Sequence, residues 1–326
     1  MTPDEFLAEW NNSSDRLLVH TSGSTGRPKP LWVEKRRMRH SALTTCRFLG
    51  LQPGDTALLC LSLDYIAGKM MMVRAIAGRL NLIAVLPDGH PLRNVSAPIA
   101  FAAMVPMQVY NSLQVPQERE RLRRIKHLII GGGAIDAELE KELQTFPNAV
   151  WSTYGMTETL SHIALRRISG PGADSWYTPL EGVTVCTDAD GCLLIHAPDL
   201  CPRPLVTNDV ARLLETPPGT PCRFRILGRK DNIICSGGIK IQIEAIEARL
   251  RPHLPVPYLI TKRCDAKFGE AVVILIQDAH IESARTICRR VLPAYWQPRH
   301  YVSVAQLPFT PTGKPDRAAA ERLARQ

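Results

Sequence analysis

The chain has 326 residues, 45% of them hydrophobic and 22% charged, with mean hydropathy near zero, which excludes wholesale disorder and fibrous classes and supplies material for roughly two domains. The net charge of +9 comes mostly from arginine, with clusters at Lys35-Arg36-Arg37 and over 119–126. No aromatic residues interleave with these clusters, which argues against nucleic acid as a partner.

The longest apolar stretches, such as Ile99 to Val105 and Leu128 to Ile130, are far shorter than the ~20 residues that span a bilayer, so no membrane span is expected. Met1-Thr2-Pro3-Asp4-Glu5 has no basic region before an apolar core, so no secretory signal is expected and a cytoplasmic location is the default. Nine scattered cysteines with no Cys-x-x-Cys pair indicate reduced thiols in place of a disulfide framework or a zinc site.

From Leu17 to Thr21 a short apolar strand runs into Ser22-Gly23-Ser24-Thr25-Gly26-Arg27-Pro28-Lys29, and the strand pattern resumes at Trp32-Val33. Met38 to Leu49 has helical periodicity, Pro53-Gly54-Asp55 reads as a turn, Ala57 to Leu63 as a buried strand and Tyr65 to Ala77 as a helix. Leu80 to Leu86 follows as a strand, Pro106 to Leu113 and Gln117 to Arg124 as helices, and His127 to Ile130 as a strand ending at Gly131-Gly132-Gly133, before a helix from Asp136 to Phe146. This alternation predicts a largely parallel α/β sheet. After Ser169-Gly170-Pro171-Gly172 the chain turns to short strands and turns. Beyond Leu227 to Asn232 comes a small α+β section, with a Ser236-Gly237-Gly238 turn, a helix from Ile243 to Leu250, strands near Tyr258 and from Ala271 to Gln277, and a helix around Ser283 to Val291. The expected fold is therefore α/β: a large domain over 1–228, with a mixed parallel sheet and a β-rich subdomain, and a small α+β domain over 229–326.

Several strings suggest chemistry. The loop Thr21 to Lys29 combines small residues, hydroxyls and one lysine, a composition suited to phosphate but without the Gly-x-x-x-x-Gly-Lys pattern of a Walker loop. Glu158, after Tyr154-Gly155 read as a tight turn, is suited to Mg²⁺, with Thr157 donating to phosphate; the alternative is that Glu158 caps a following helix. Asp209 is suited to the two hydroxyls of a ribose, and Arg229 to the same sugar or to phosphate. Gly131-Gly132-Gly133 would let adenine or an acyl group approach the backbone, or simply turn a strand into a helix.

Thr21-Ser22-Gly23-Ser24-Thr25-Gly26-x-Pro28-Lys29 resembles the phosphate loop of the adenylate-forming superfamily of acyl-CoA synthetases, adenylation domains and luciferases. Further strings follow in that family's order: Ser152-Thr153-Tyr154-Gly155-Met156-Thr157-Glu158-Thr159, Thr207-Asn208-Asp209, Gly228-Arg229-Lys230-Asp231, Ser236-Gly237-Gly238-Ile239-Lys240-Ile241 ahead of Glu244, and Pro311-Thr312-Gly313-Lys314. The resemblance implies ATP, Mg²⁺ and CoA as co-substrates and cofactor. It implies nucleotide contacts at Thr21, Ser22, Gly23, Ser24, Thr25, Gly26, Lys29, Gly131, Gly132, Gly133, Thr153, Tyr154, Gly155, Asp209 and Arg229. Glu158 takes the metal, Lys314, Glu158 and Thr157 serve catalysis, Asp231 is the hinge of a mobile small domain, and Ser236, Gly237, Gly238 and Lys240 face CoA. In such enzymes the lysine that Lys314 matches bridges the acid and the nucleotide.

Leu61-Ser62-Leu63-Asp64-Tyr65-Ile66-Ala67-Gly68, the methionine-rich segment after it and the segment Met156 to Ala164 are similar to o-succinylbenzoate-CoA ligases of menaquinone synthesis. That implies an acid pocket with Tyr65, Lys69, Arg74 and His162, in which Arg74 or Lys69 meets a second carboxylate; otherwise these two form salt bridges on a helix surface and His162 is a core histidine. Other readings are another acid-CoA ligase, an adenylation enzyme that loads a carrier protein, and a non-catalytic nucleotide-binding relative. Asn208 stands where the family has glycine and Gln242 where it has proline. The phosphate loop begins near residue 20, so most of the family's N-terminal subdomain is expected to be absent, and a homodimer is one way to cover the surface that would leave.

Overall fold

In the computed structural model residues 1–20, 30–217, 220–277, 281–310 and 315–325 are described. The chain opens with a helix that its sequence did not advertise, α1 (Pro3–Asn11). The Thr2 hydroxyl accepts from the Glu5 N–H while the Glu5 carboxylate accepts from the Thr2 N–H, a reciprocal cap with proline at the first helical position. Next come the antiparallel pair β1 (Arg16–His20) and β2 (Pro30–Glu34) and the long helix α2 (Lys35–Leu49), which Gly50 ends in the left-handed region at φ +65°.

The main sheet is built from β3 (Thr56–Leu59), α3 (Ile66–Gly78), β4 (Asn81–Ala84), β5 (Phe101–Met104), α4 (Pro106–Gln114), α5 (Pro116–Arg124), β6 (His127–Ile130), α6 (Ala137–Gln144), β7 (Ala149–Gly155), β8 (His162–Arg167) and β9 (Thr178–Pro179). Strand order is β4-β3-β5-β6-β7-β8-β9, parallel from β4 to β7 and antiparallel at β8 and β9. Alternate side chains feed two apolar cores: Ala57, Leu59, Phe101, Ala103 and Ile129 join the core that includes α2 and α3, while Leu58, Ala102, Met104, Leu128 and Ile130 join that of α4, α5 and α6.

The predicted strand from Ala57 stops at Leu59, four residues early. The strand β5, all four residues of which are buried, lies within the Ile99 to Val105 run, whose unbroken hydrophobicity carries no period that separates strand from helix. Tyr154 and Gly155, expected in a tight turn, instead end β7; the turn begins at Met156.

Four antiparallel strands follow: β10 (Thr184–Thr187), β11 (Cys192–His196), β12 (Leu205–Leu214) and β13 (Arg223–Arg229). The last part consists of β14 (Ile233–Ser236), β15 (Ile239–Gln242), α7 (Ile243–Leu250), β16 (Tyr258–Asp265), β17 (Gly269–Gln277), α8 (Ile281–Val291), β18 (His300–Val304) and α9 (Arg317–Ala324). Its sheet runs β15-β14-β17-β16, with β18 added parallel to β17. Its apolar clusters share no residue with the two cores of the main sheet. Gly237 and Gly238, at φ +59° and +81°, make the two-residue turn between β14 and β15, as the sequence predicts. No helix among the described residues is long and apolar enough to cross a membrane.

The helix α1 is held into the first core. Phe6 is wholly buried and stacks with Trp10 at 6.0 Å, and the Lys69 ammonium sits 5.6 Å from the Phe6 ring and 3.7 Å from the Glu9 carboxylate. Phe6→Ala should therefore cost about 3–5 kcal/mol in urea unfolding with an unchanged m-value. A loss below about 1 kcal/mol would show that α1 is not integral to that core.

Candidate active site

The glycines sit beyond the carboxyl end of β6 and the Tyr-Gly-Met-Thr-Glu string straddles that of β7, where open parallel sheets place their ligand crevices. Gly131 is needed for space, because a Cβ there would lie 2.3 Å from Thr153 Oγ1. Gly132, at φ +78°, takes a conformation that side chains resist. The same glycines lead to α6, whose cap Asp136 accepts from the N–H groups of Glu138 and Leu139, so they also make the strand-to-helix connection.

At Gly155 a Cβ would lie 2.3 Å from the Ser161 carbonyl oxygen. The chain therefore doubles back tightly through a single 3-10 turn, Thr157–Thr159, before β8. The Thr159 Oγ1 accepts from the Met156 N–H at 3.0 Å and lies 2.7 Å from the Ser161 carbonyl oxygen. Leu160, buried and at φ +65°, absorbs the reversal, a strain of about 1–3 kcal/mol for a residue with a side chain. Thr157 is buried beneath the turn and Glu158 is exposed on it. No helix follows for Glu158 to cap, since the turn passes straight into β8. Its carboxylate makes no hydrogen bond or ion pair among the described residues, which leaves a hard oxygen donor free for a divalent cation.

Asp209 on β12 pairs in register with Arg229 on β13. Tyr154 donates its phenol to Asp209 Oδ2 at 2.6 Å, and Arg229 approaches Asp209 Oδ1 at 3.4 Å and Asp231 Oδ2 at 2.9 Å. Burial first, then the Asp209 charge, pushes Tyr154 far above the usual phenol range, so it stays a donor. Its ring is fixed edge-on to Phe224 at 5.2 Å and beside Tyr177 at 5.9 Å. The amide of Asn208, in place of the family's glycine, donates to Asp231 at 3.1 Å. Gln242 donates to the Arg229 carbonyl at 2.7 Å. Both departures from the family pattern thus contact the segment from Arg229 to Asp231.

On α3 the surface salt-bridge alternative fails for Arg74, while Lys69 keeps an ion pair, with Glu9, from a buried position. Lys69 and Arg74 are 3% and 2% exposed. Lys69 turns to Glu9 of α1, and burial lowers its pKa. Arg74 donates to the Ser161 hydroxyl, lies 3.9 Å from the Met71 sulfur and leaves its buried Nε without a partner. No carboxylate pairs with it among the described residues, and burial pulls its pKa down to about 10. His162 is buried beside it, 3.3 Å from Ser161 Oγ through Nδ1 and 3.1 Å from Thr45 Oγ1 through Nε2. Burial, then the Arg74 charge, holds this imidazole well below its usual pKa. Tyr65 is exposed at the start of α3, its carbonyl accepting from the Lys69 N–H.

The structure therefore joins Gly131 with Thr153, Tyr154 with Asp209, Arg229 and Asp231, and Arg74 with Ser161 and His162. Ser236, Gly237, Gly238 and Lys240 line the β14–β15 hairpin, with the Gly237 N–H bonded to the Phe268 carbonyl at 2.8 Å. No hydrogen bond or ion pair among the described residues ties them to those groups. Thr21 to Lys29 and Lys314 lie outside the described residues. Sequence reasoning missed Thr45, which sits mid-helix in α2 with no motif around it, and Ser161, which stands inside a quoted string but whose role needs the Gly155 reversal.

Residues 6–189 match the family described as AMP-binding enzyme. A probable 2-succinylbenzoate–CoA ligase of Mycobacterium tuberculosis is 28% identical over 94% of this chain and 84% of its own length. A dimodular nonribosomal peptide synthase of Bacillus subtilis is 27% identical over 93% of this chain, which spans only 14% of that protein. Among solved structures, an acyl-CoA synthetase (AMP-forming)/AMP-acid ligase II-like protein from Dyadobacter fermentans is 32% identical, covers 97% of this chain and 91% of its own, and superposes with a TM-score of 0.65. The o-succinylbenzoate coenzyme A synthetase of Bacillus subtilis, solved with ATP and magnesium ion, shares the fold at 20% identity, with a TM-score of 0.75 over 92% of this chain and 68% of its own. With the ordered motifs placed at the strand ends of a mixed α/β sheet, this chain belongs to the AMP-binding enzyme family of adenylate-forming ligases.

Proposed function

We propose that the protein is an ATP-dependent acid-CoA ligase: a carboxylate and ATP give an acyl-adenylate and pyrophosphate, and the CoA thiol then displaces AMP. The acid carries a second carboxylate, and o-succinylbenzoate is the acid that the family resemblance implies. The observation that carries the substrate class is Arg74, a buried guanidinium with an orphaned Nε that, among the described residues, donates only to a hydroxyl and a sulfur. Such a charge is costly until an anion pairs with it, and a carboxylate is the anion whose geometry suits a guanidinium fork.

The first half-reaction brings a carboxylate to a triphosphate, so its main requirement is charge compensation. Mg²⁺ held at Glu158 would supply part of it. Lys29 and Lys314 supply the rest in this reading, Thr157 donates to phosphate, and Gly131 to Gly133, Thr153 and Gly155 leave room for the nucleotide. Asp209, held by Tyr154, retains lone pairs for the ribose hydroxyls. We divide the chain at 228/229, with Asp231 as hinge and Ser236, Gly237, Gly238 and Lys240 offered to CoA. Arg229 then bonds the ribose carboxylate and the hinge carboxylate with one guanidinium. A second reading, transfer to a carrier protein, draws on the likeness to the peptide synthase over 93% of the chain.

Incubation with ATP, Mg²⁺, CoA and a panel of acids, read by mass spectrometry, tests this. The expected product is the CoA thioester of o-succinylbenzoate. Adenylate without thioester would favour the carrier reading, and no adenylate from any acid would overturn the ligase assignment. Arg74→Met should lower kcat/KM for o-succinylbenzoate on the order of 100-fold, the worth of a hydrogen-bonded charge pair. An acid lacking the second carboxylate should lose far less, and equal losses on both would remove Arg74 from substrate recognition.

A further inference from the structure

A buried arginine is ordinarily matched by a carboxylate, yet among the described residues Arg74 is held by neutral groups alone. Those groups form a directed chain whose polarity can be read from its far end. The Thr45 hydroxyl donates to the Ser41 carbonyl one turn back in α2, at 3.1 Å. Having spent its hydrogen, Thr45 Oγ1 must accept from His162 Nε2, at 3.1 Å. His162 is then the neutral Nε2–H tautomer, and its Nδ1 accepts from the Ser161 hydroxyl at 3.3 Å. Ser161 Oγ in turn accepts from Arg74. Every hydrogen points away from Arg74, and the sequence ends on a backbone carbonyl of α2.

We propose that Thr45, His162 and Ser161 are positioning residues that aim the Arg74 guanidinium at the second carboxylate of the acid while leaving its charge uncancelled. The proposal rests on the reading of Arg74 given above. The opposite tautomer would set the Nε2 lone pair against a Thr45 oxygen with no hydrogen left to give, and would ask Ser161 Oγ to accept from both sides. A protonated ring would add a second buried cation beside the first. The depressed pKa of His162 agrees with the neutral form. Holding Arg74 by an acidic residue would orient it equally well but would cancel the charge the substrate needs. Three elements converge here, α2 through Thr45, α3 through Arg74 and β8 with the turn before it through His162 and Ser161, so the guanidinium is fixed from outside its own helix.

The test uses the full chain in two measurements. Two-bond ¹⁵N spectra of histidine-labelled protein read the tautomer directly: His162 should be Nε2–H and stay neutral at about pH 6, below the usual histidine midpoint. An Nδ1–H ring, or one that titrates like an exposed histidine, overturns the relay whatever the activity. The second measurement is selectivity, the ratio of kcat/KM for o-succinylbenzoate to that for its aromatic-carboxylate methyl ester. Thr45→Val, nearly isosteric, should lower this ratio about tenfold, chiefly through the KM of the diacid, with the KM for ATP moving less than about twofold; Thr45→Ser should restore it. If Thr45→Val keeps the wild-type ratio while Arg74→Met loses it, the relay is wrong and the Arg74 reading stands. If the wild type shows no preference for the diacid, the Arg74 reading fails and the relay fails with it.

Discussion

The reversal between β7 and β8 is the constraint on which the site is built. At Gly155 the backbone passes so close to Ser161 that no side chain fits, 2.3 Å for a Cβ against a carbonyl oxygen. Because the chain turns there, residues only nine apart serve different sides of the crevice. Thr153 faces the glycines after β6, Tyr154 reaches across to Asp209 on β12, Glu158 is carried outward on the 3-10 turn, and Ser161 and His162 are delivered to Arg74. The strained Leu160 belongs to the same account, since its buried side chain anchors in the first core while its backbone takes the left-handed value that closes the turn.

Two electrostatic arrangements flank this turn. Around Asp209 every charge has an opposite partner: Arg229 touches two carboxylates, Lys230 pairs with Asp190 at 2.6 Å, and Tyr154 donates to one oxygen of Asp209. That region is partly open to water, so its ion pairs are individually weak and its value is geometric. Around Arg74 the arrangement is inverted, with deep burial, no counter-charge among the described residues and a pKa depressed by desolvation. A matched network orients a neutral sugar, whereas an unmatched cation selects an anion, and the two chemistries of the proposed reaction divide along that line.

Much of this was legible in the sequence where local pattern and global position agree. The succession of β6 and α6 follows from an apolar run punctuated by glycine and an acidic cap, and the β14–β15 hairpin from adjacent glycines, whereas β7 was not read as a strand. The motif strings singled out Tyr154 and Arg229, each beside a glycine, together with Glu158 and Asp209. What failed was information that is not local. The strand β5 is buried on both faces and so has no period to read; α1 is short and its stability comes from Phe6 meeting the core. Lys69 and Arg74 were read as surface residues in the alternative because charge usually means exposure. Their burial follows from α3 lying between α2, the sheet and α1, which no spacing within α3 encodes.

That packing also explains why an uncancelled charge is tolerated at Arg74. A flexible site would let water or a nearby acid relax toward the guanidinium and dissipate its field. Here α3 contributes a run of fully buried residues, Met70, Met71 and Val73 among them, that fixes the helix against its neighbours. The polar atoms nearest the guanidinium are themselves committed to each other through Ser161, His162 and Thr45. With the surrounding dipoles already engaged, little reorganisation would remain to compete with an incoming carboxylate, so under the proposed function desolvation spent in folding would return as discrimination when the acid binds. Under the proposed function, recognition of the acid would depend less on Arg74 alone than on the neutral groups that hold it among the described residues.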